Sequence, residues 1–221
     1  MLSIALLFVG AVLLVNGLLL RGVVSARSAA PINLLSGSLL AMAALHLALN
    51  VRPLDAMTEP ALWVAAGYLL FAFTYLFVGL NALVGADDAG VGWYCLWAAL
   101  IAAILSTVQF AEFNDPRMGL LWASWCVLFS AFALALLGRW VWAAQAAGML
   151  AIVQALTTAT VPALMMLNGS WEDLSVPALA TLQSLALVAY GYQAYGAGTR
   201  RSAANGQTSG HDLAEEVPEN R

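Results

Sequence analysis

The chain has 221 residues, of which 62% are hydrophobic and 9% charged, with a mean hydropathy of +0.85 and a net charge of −4. A soluble domain carries about a quarter charged residues, so this composition excludes a water-soluble globule and requires lipid as solvent. Nucleic-acid binding lacks its basic surface, and Schiff-base chemistry is excluded because all eight basic residues are arginine, with no lysine.

In chain order, residues 1–20 form the first apolar run. A secretory signal places its positive charge before the apolar stretch. Here Arg21 follows it, and ~20 residues suffice to cross ~30 Å of hydrocarbon. The run is read as a retained span entering from outside. Leu6, Val9, Leu13 and Asn16 recur at three- and four-residue steps on one face. Gly10 and Gly17 suit close approach of another helix. Residues 31–51 make the second span, with His46 read as an interhelical hydrogen bonder near a helix end. A charged loop with Pro53 and Pro60 follows.

Residues 61–84 form the third span, where Phe73, Phe77 and Asn81 stand at successive four-residue steps and read as one face. The fourth span, residues 93–110, opens on the interfacial pair Trp93 and Tyr94. The fifth, residues 118–138, carries Trp122, Trp125, Phe129 and Phe132 as an aromatic stripe. The sixth, residues 140–168, holds Gln154 deep in the run, where an amide needs a partner, and then Pro162. A seventh run, residues 176–198, contains Gln183 and three tyrosines. The Ser/Gly/Asn-rich, acidic tail beyond Arg201 is expected to be disordered.

No Asp, Glu or Arg falls within the seven spans. With the N-terminus outside, Arg21, Arg27, Arg139, Arg200 and Arg201 lie inside, against Arg52 and Arg117 outside. That bias favours an external N-terminus and a cytoplasmic C-terminus. Ion-coupled transport ordinarily uses intramembrane carboxylates, and a carbonyl-lined ion filter needs a Gly-rich segment. Neither is present. Cys95 and Cys126 lack metal-ligand spacing. There is no nucleophile–base pair, so no catalytic residue, metal or cofactor is expected. What remains is a passage for small uncharged solutes, lined by rings that stack on a flat amide and by a few polar groups.

The opening 1–17, Leu70-Phe-Ala-Phe-Thr-Tyr-Leu-Phe77 with Asn81, Trp93-Tyr94, Trp122-Ala-Ser-Trp-Cys-Val-Leu-Phe129 and Leu150-Ala-Ile-Val-Gln154 followed by Pro162 together resemble the bacterial amide/urea channel family. The resemblance covers residues 1 to about 168. It implies an all-α integral membrane protein of the bacterial inner membrane, with a six-helix channel core over residues 1–170. It further implies a pore in each protomer and a homo-hexamer with lipid in the ring centre. The pore residues it implies are Leu6, Val9, Leu13, Phe73, Phe77, Trp122, Trp125, Leu128 and Phe129, with Asn16, Asn81 and Gln154 as polar pore or helix-packing groups. Phe77 would replace a tyrosine of the urea channel, Phe129 a tryptophan and Gln154 a glutamate, giving a less polar pore suited to aliphatic amides.

The outer loop between spans two and three lacks histidine, whereas the family's acid-gated member relies on outer-loop histidines, so acid gating is not expected. Residues 174–199 add a seventh transmembrane helix, and 200–221 a cytoplasmic tail. The function this supports is passive permeation of urea or a short-chain aliphatic amide, feeding a cytoplasmic amidase or urease. The alternative is a non-transporting scaffold or sensor subunit that docks a soluble enzyme.

Overall fold

The structure is a computed structural model that describes the backbone of residues 2–50 and 58–215, and the side chains of residues 3–50 and 60–196. The charged loop at 52–57 and the last six residues lie outside the described residues.

The described chain is helical. Helix α1 spans Leu2–Leu20, α2 Ala26–Leu49, α3 Thr58–Val84, α4 Ala89–Ala111 and α5 Pro116–Gly138. The sixth run is a composite: α6 (Val141–Gln154), a π-helical turn (Ala155–Thr160) and α7 (Val161–Asn168). After a 3₁₀ turn at Trp171–Asp173, α8 runs from Val176 to Glu215. Among the described residues, six helical segments are long and apolar enough to cross a membrane, the last being the composite Val141–Asn168.

Local chemistry explains the boundaries. Ser25 caps α2, its hydroxyl accepting from Ser28 N–H, and Asp115 caps α5 through Met118 N–H. Pro116 sits in the first turn of α5, where its missing N–H costs nothing. Helix α5 ends on Arg139 in the left-handed region, with φ of 53°, and α7 on Gly169 with φ of 81°. The π turn precedes Pro162, whose ring cannot sit against an ordinary i−4 carbonyl, so the wider turn lets the run continue.

Helix α2 lies along α3, α4 along α5, and α1 against α6, the π turn and α7. The α1–α6 contact depends on missing side chains. A Cβ on Gly10 would meet Thr160 Oγ1 at 2.2 Å, and one on Gly17 would meet the Gly148 carbonyl oxygen at 2.7 Å. Both glycines therefore do what the sequence suggests, letting backbones approach. Asn16 and Asn33 exchange amide hydrogen bonds of 2.9 and 2.7 Å, tying α1 to α2. The exterior is apolar, with Leu35, Leu49, Trp93 and Leu100 exposed.

Ion pairs sit at the helix ends. Arg117 bonds the Glu172 carboxylate at 2.8 Å and the Leu174 carbonyl at 2.8 Å, holding the α7–α8 connection to the start of α5. Arg139 pairs with Asp87 at the opposite end. The Asp87 carboxyl is held below its ordinary range, first by the Ala89 backbone N–H and then by the Arg139 guanidinium. His46 is exposed near the end of α2, its Nδ1 3.3 Å from Asn50 Nδ2.

The C-terminal region is described as one helix, Val176–Glu215. The seventh run is a helix, but it is not among the six spans apolar enough to cross a membrane. Gln183, Gln193 and the tyrosines dilute its hydropathy. Helix α8 continues past Arg201 to Glu215.

Candidate functional site

Three odd-numbered helices run in the same direction and carry the site. Near their N-terminal halves, Leu6 and Val9 of α1, Gly67 and Phe71 of α3, and Trp122 and Trp125 of α5 line a cavity of about 190 Å³. Nearer their C-terminal ends, Asn16, Leu19 and Leu20 of α1, Thr74, Val78 and Asn81 of α3, and Phe132 and Leu136 of α5 line a second cavity of about 430 Å³. No residue lines both. On each helix the residues of the smaller cavity precede those of the larger, so the two lie one above the other along the bundle axis. Seven residues separate Val9 from Asn16, which is about 10 Å of helix.

A packed layer separates the cavities at that level. Leu13, Tyr75, Leu128 and Phe129 are each no more than 3% exposed. Phe71 is the hub of the rings. Its centroid lies 4.9 Å from Trp125 in an edge-on contact, 5.3 Å from Phe129, 5.8 Å from Trp122 and 6.1 Å from Tyr75. Trp122 and Trp125 meet at 4.8 Å and 89°. These are favourable aromatic geometries, each contributing about 1 kcal/mol beyond area burial. The Trp122 ring fits because Gly67 has no side chain: a Cβ there would lie 2.5 Å from its Cζ2.

Polar groups in the layer are few and mostly committed. Trp125 Nε1 donates to Thr158 Oγ1 at 2.9 Å, and Thr158 Oγ1 donates to the Gln154 carbonyl at 2.7 Å. Gln154 lines neither cavity. It is fully buried against α5, its Nε2 donating to the Ser124 carbonyl at 3.1 Å. Among the described residues, Tyr75 Oη, Gln154 Oε1 and Ser36 Oγ are buried side-chain atoms with no hydrogen-bond partner. The larger cavity is more polar: Thr74 donates to the Leu70 carbonyl, Asn81 to the Asp87 carbonyl, and Asp88 stands among its lining residues. No charged side chain lines the smaller cavity.

The structure brings most of the expected residues together. Leu6, Val9, Trp122 and Trp125 line the smaller cavity, Leu13, Leu128 and Phe129 form the layer, and Asn16 and Asn81 line the larger cavity. Asn16 serves both roles open to it, lining the cavity and pairing with Asn33.

Phe73 and Phe77 line neither cavity. Phe73 is 54% exposed on the outside of the bundle, and Phe77 packs beside Gly90 and Tyr94. Phe71 and Phe73 are about 200° apart around the helix, so the two cannot face one cavity, and the smaller cavity is lined by Phe71. The face that includes Asn81 is Phe71, Thr74, Val78 and Asn81, at alternating three- and four-residue steps. Phe71 and Tyr75 are the α3 residues of the ring layer that the sequence reading does not include. Tyr75 carries a buried hydroxyl in the layer between the two cavities.

A profile of AmiS/UreI family transporters matches residues 1–170. The transporter protein AmiS2 of Rhodococcus erythropolis is 39% identical over 80% of this chain and 84% of its own length. A protein of Mycolicibacterium smegmatis named as an amidate substrates transporter is 36% identical over 80% of this chain and 81% of its own. The urea channel of Helicobacter pylori in its closed state superimposes with a TM-score of 0.67 at 26% identity, covering 77% of this chain and all of that one. These relatives are named as transporters and channels rather than enzymes. The stacked cavities and the six membrane-type helices thus stand on the same fold as a solved channel, and the chain belongs to the AmiS/UreI family of multi-pass bacterial membrane transporters.

Proposed function

We propose that the protein is a passive pore for small uncharged amides or urea, without acid gating. The observation that carries this reading is the pair of end-to-end cavities separated by one buried layer of rings. A flat solute reaching the layer meets Phe71 and Trp125 faces, on which a planar amide stacks. Tyr75 Oη, unpartnered in its resting position, supplies a hydroxyl that donates to a solute carbonyl or accepts from its N–H. An ion has nothing to replace its hydration in the smaller cavity, so the layer rejects charge at a cost of several kcal/mol. The relatives named for urea and for amidate substrates have chemistry of this class.

In this reading the N-terminus is external and the smaller cavity faces outward. The pore serves a cytoplasmic amidase or urease, and protomers assemble as a homo-hexamer with lipid in the ring centre. Osmotic swelling of proteoliposomes, followed by stopped flow with urea, acetamide and glycerol, tests the proposal. Fast, non-saturating and solute-selective flux is expected. Its absence would remove the pore reading and leave the scaffold reading in its place.

A further inference from the structure

We infer that α8 acts through Gln183 as a positioning element for the Trp125 ring, fixing the π turn that holds the indole. The inference rests on the pore reading of Trp125. The family match ends at residue 170, so Gln183 stands on an element outside it. Helix α8 turns Leu182, Leu185 and Val188 outward, yet Gln183 is 3% exposed and points into the bundle between buried Leu179 and Ala186. A buried amide on an otherwise apolar contact face needs a structural reason.

The π turn supplies it. Thr157 has a carbonyl whose i+5 backbone partner is Pro162, which has no N–H. Its i+4 partner, Val161 N–H, is already donated to Leu156. The carbonyl is therefore left without either helical donor, deep in a span where such a group costs several kcal/mol. Gln183 Nε2 donates to that oxygen at 3.3 Å, while Gln183 Oε1 accepts from Ser124 Oγ at 3.1 Å. The residues on either side complete a closed circuit. Thr158, next to Thr157, accepts from Trp125, next to Ser124. Gln183 thus holds the π turn and α5 in the register that aims the Trp125 indole N–H at Thr158 and keeps its ring in T-shaped contact with Phe71. Without the amide, the Thr157 carbonyl must find another donor, and the turn that anchors Trp125 shifts with it.

Three full-length variants in proteoliposomes and detergent test this. Gln183→Met keeps length and removes both hydrogen bonds. Gln183→Glu keeps them, because a buried carboxylic acid stays protonated and offers one donor and one acceptor. Leu185→Ala controls for the exposed face of α8. The readouts are the acetamide-to-urea permeability ratio and the ¹⁵N–¹H resonance of the Trp125 indole, assigned by its loss in Trp125→Phe. Gln183→Met is expected to change the ratio threefold or more and to move the resonance. Gln183→Glu and Leu185→Ala should leave both as in the parent.

An unchanged ratio and resonance in folded Gln183→Met overturns the inference. So do equal effects of Met and Glu, which would make shape rather than hydrogen bonding the cause. Should Gln183→Met fail to fold, Ser124→Ala removes half the clasp and must move the resonance in the same sense. A parent protein with no solute flux defeats the pore reading, while the indole resonance still decides the clasp.

Discussion

At the residue scale the ring layer makes opposite demands of neighbouring positions on α3. Phe71 touches four rings, whereas Phe73, two positions on, faces outward. Phe71→Leu is expected to lower the acetamide-to-glycerol permeability ratio several-fold, because the layer loses its hub, and Phe73→Leu should leave that ratio unchanged. Equal effects in the swelling assay would return the pore face to the Phe73 register. Tyr75 separates function from stability. Its hydroxyl is buried and unpartnered, so Tyr75→Phe removes a desolvation cost and should stabilise the folded protein by roughly 1 kcal/mol. In the proposed pore the same substitution removes the hydroxyl offered to the solute, so amide permeability should fall. A variant that melts lower, or one that conducts as well as the parent, contradicts this assignment.

At the element scale, helix contacts are set by which residues are small. Gly10→Ala drives a Cβ into Thr160 Oγ1 and against the Ala155 carbonyl, and the backbone oxygen cannot step aside. Overpacking of this kind costs about 1–3 kcal/mol, so the variant should melt several degrees lower in detergent. Gly191→Ala on α8 meets nothing within 4 Å and should be neutral or slightly stabilising. These contacts also show how far the sequence could be read. Six spans, their order and the close approach at Gly10 and Gly17 follow from hydropathy and small-residue spacing. The faces of α1 and α5 were legible because their stripes alternate three- and four-residue steps. The face of α3 was not, because aromatic residues stand on opposite sides of one helix and spacing alone does not say whether Phe71 or Phe73 meets the cavity. The π turn was legible as a consequence of Pro162 at most. The partner of Gln183 could not be read, since sequence spacing says nothing about which carbonyl a distant amide completes.

At the scale of the whole molecule, charge is confined to the ends of the bundle, and that fixes how pH can act. Outside the spans, the carboxyl of Asp87 is held below its ordinary range by Ala89 N–H and by Arg139. A depressed folded-state value means that its stabilisation is complete above the ordinary carboxylate value near 4 and is lost as pH falls through the lower folded value. Between pH 7.5 and pH 5 this contact therefore stays ionised and unchanged. The pair is exposed, so Asp87→Asn should leave the melting temperature nearly as it is. The chain has two histidines, His46 at the end of α2 and His211 in the polar C-terminal stretch, and the stretch between α2 and α3 has none. His46 lines neither cavity and stands exposed near the end of α2, away from the ring layer. The expected outcome is acetamide and urea flux at pH 5 within about twofold of that at pH 7.5, which is under half a kcal/mol of barrier. Tenfold faster flux in acid would mean that a titrating group outside the ring layer opens it, and the pore would then have to be read as gated.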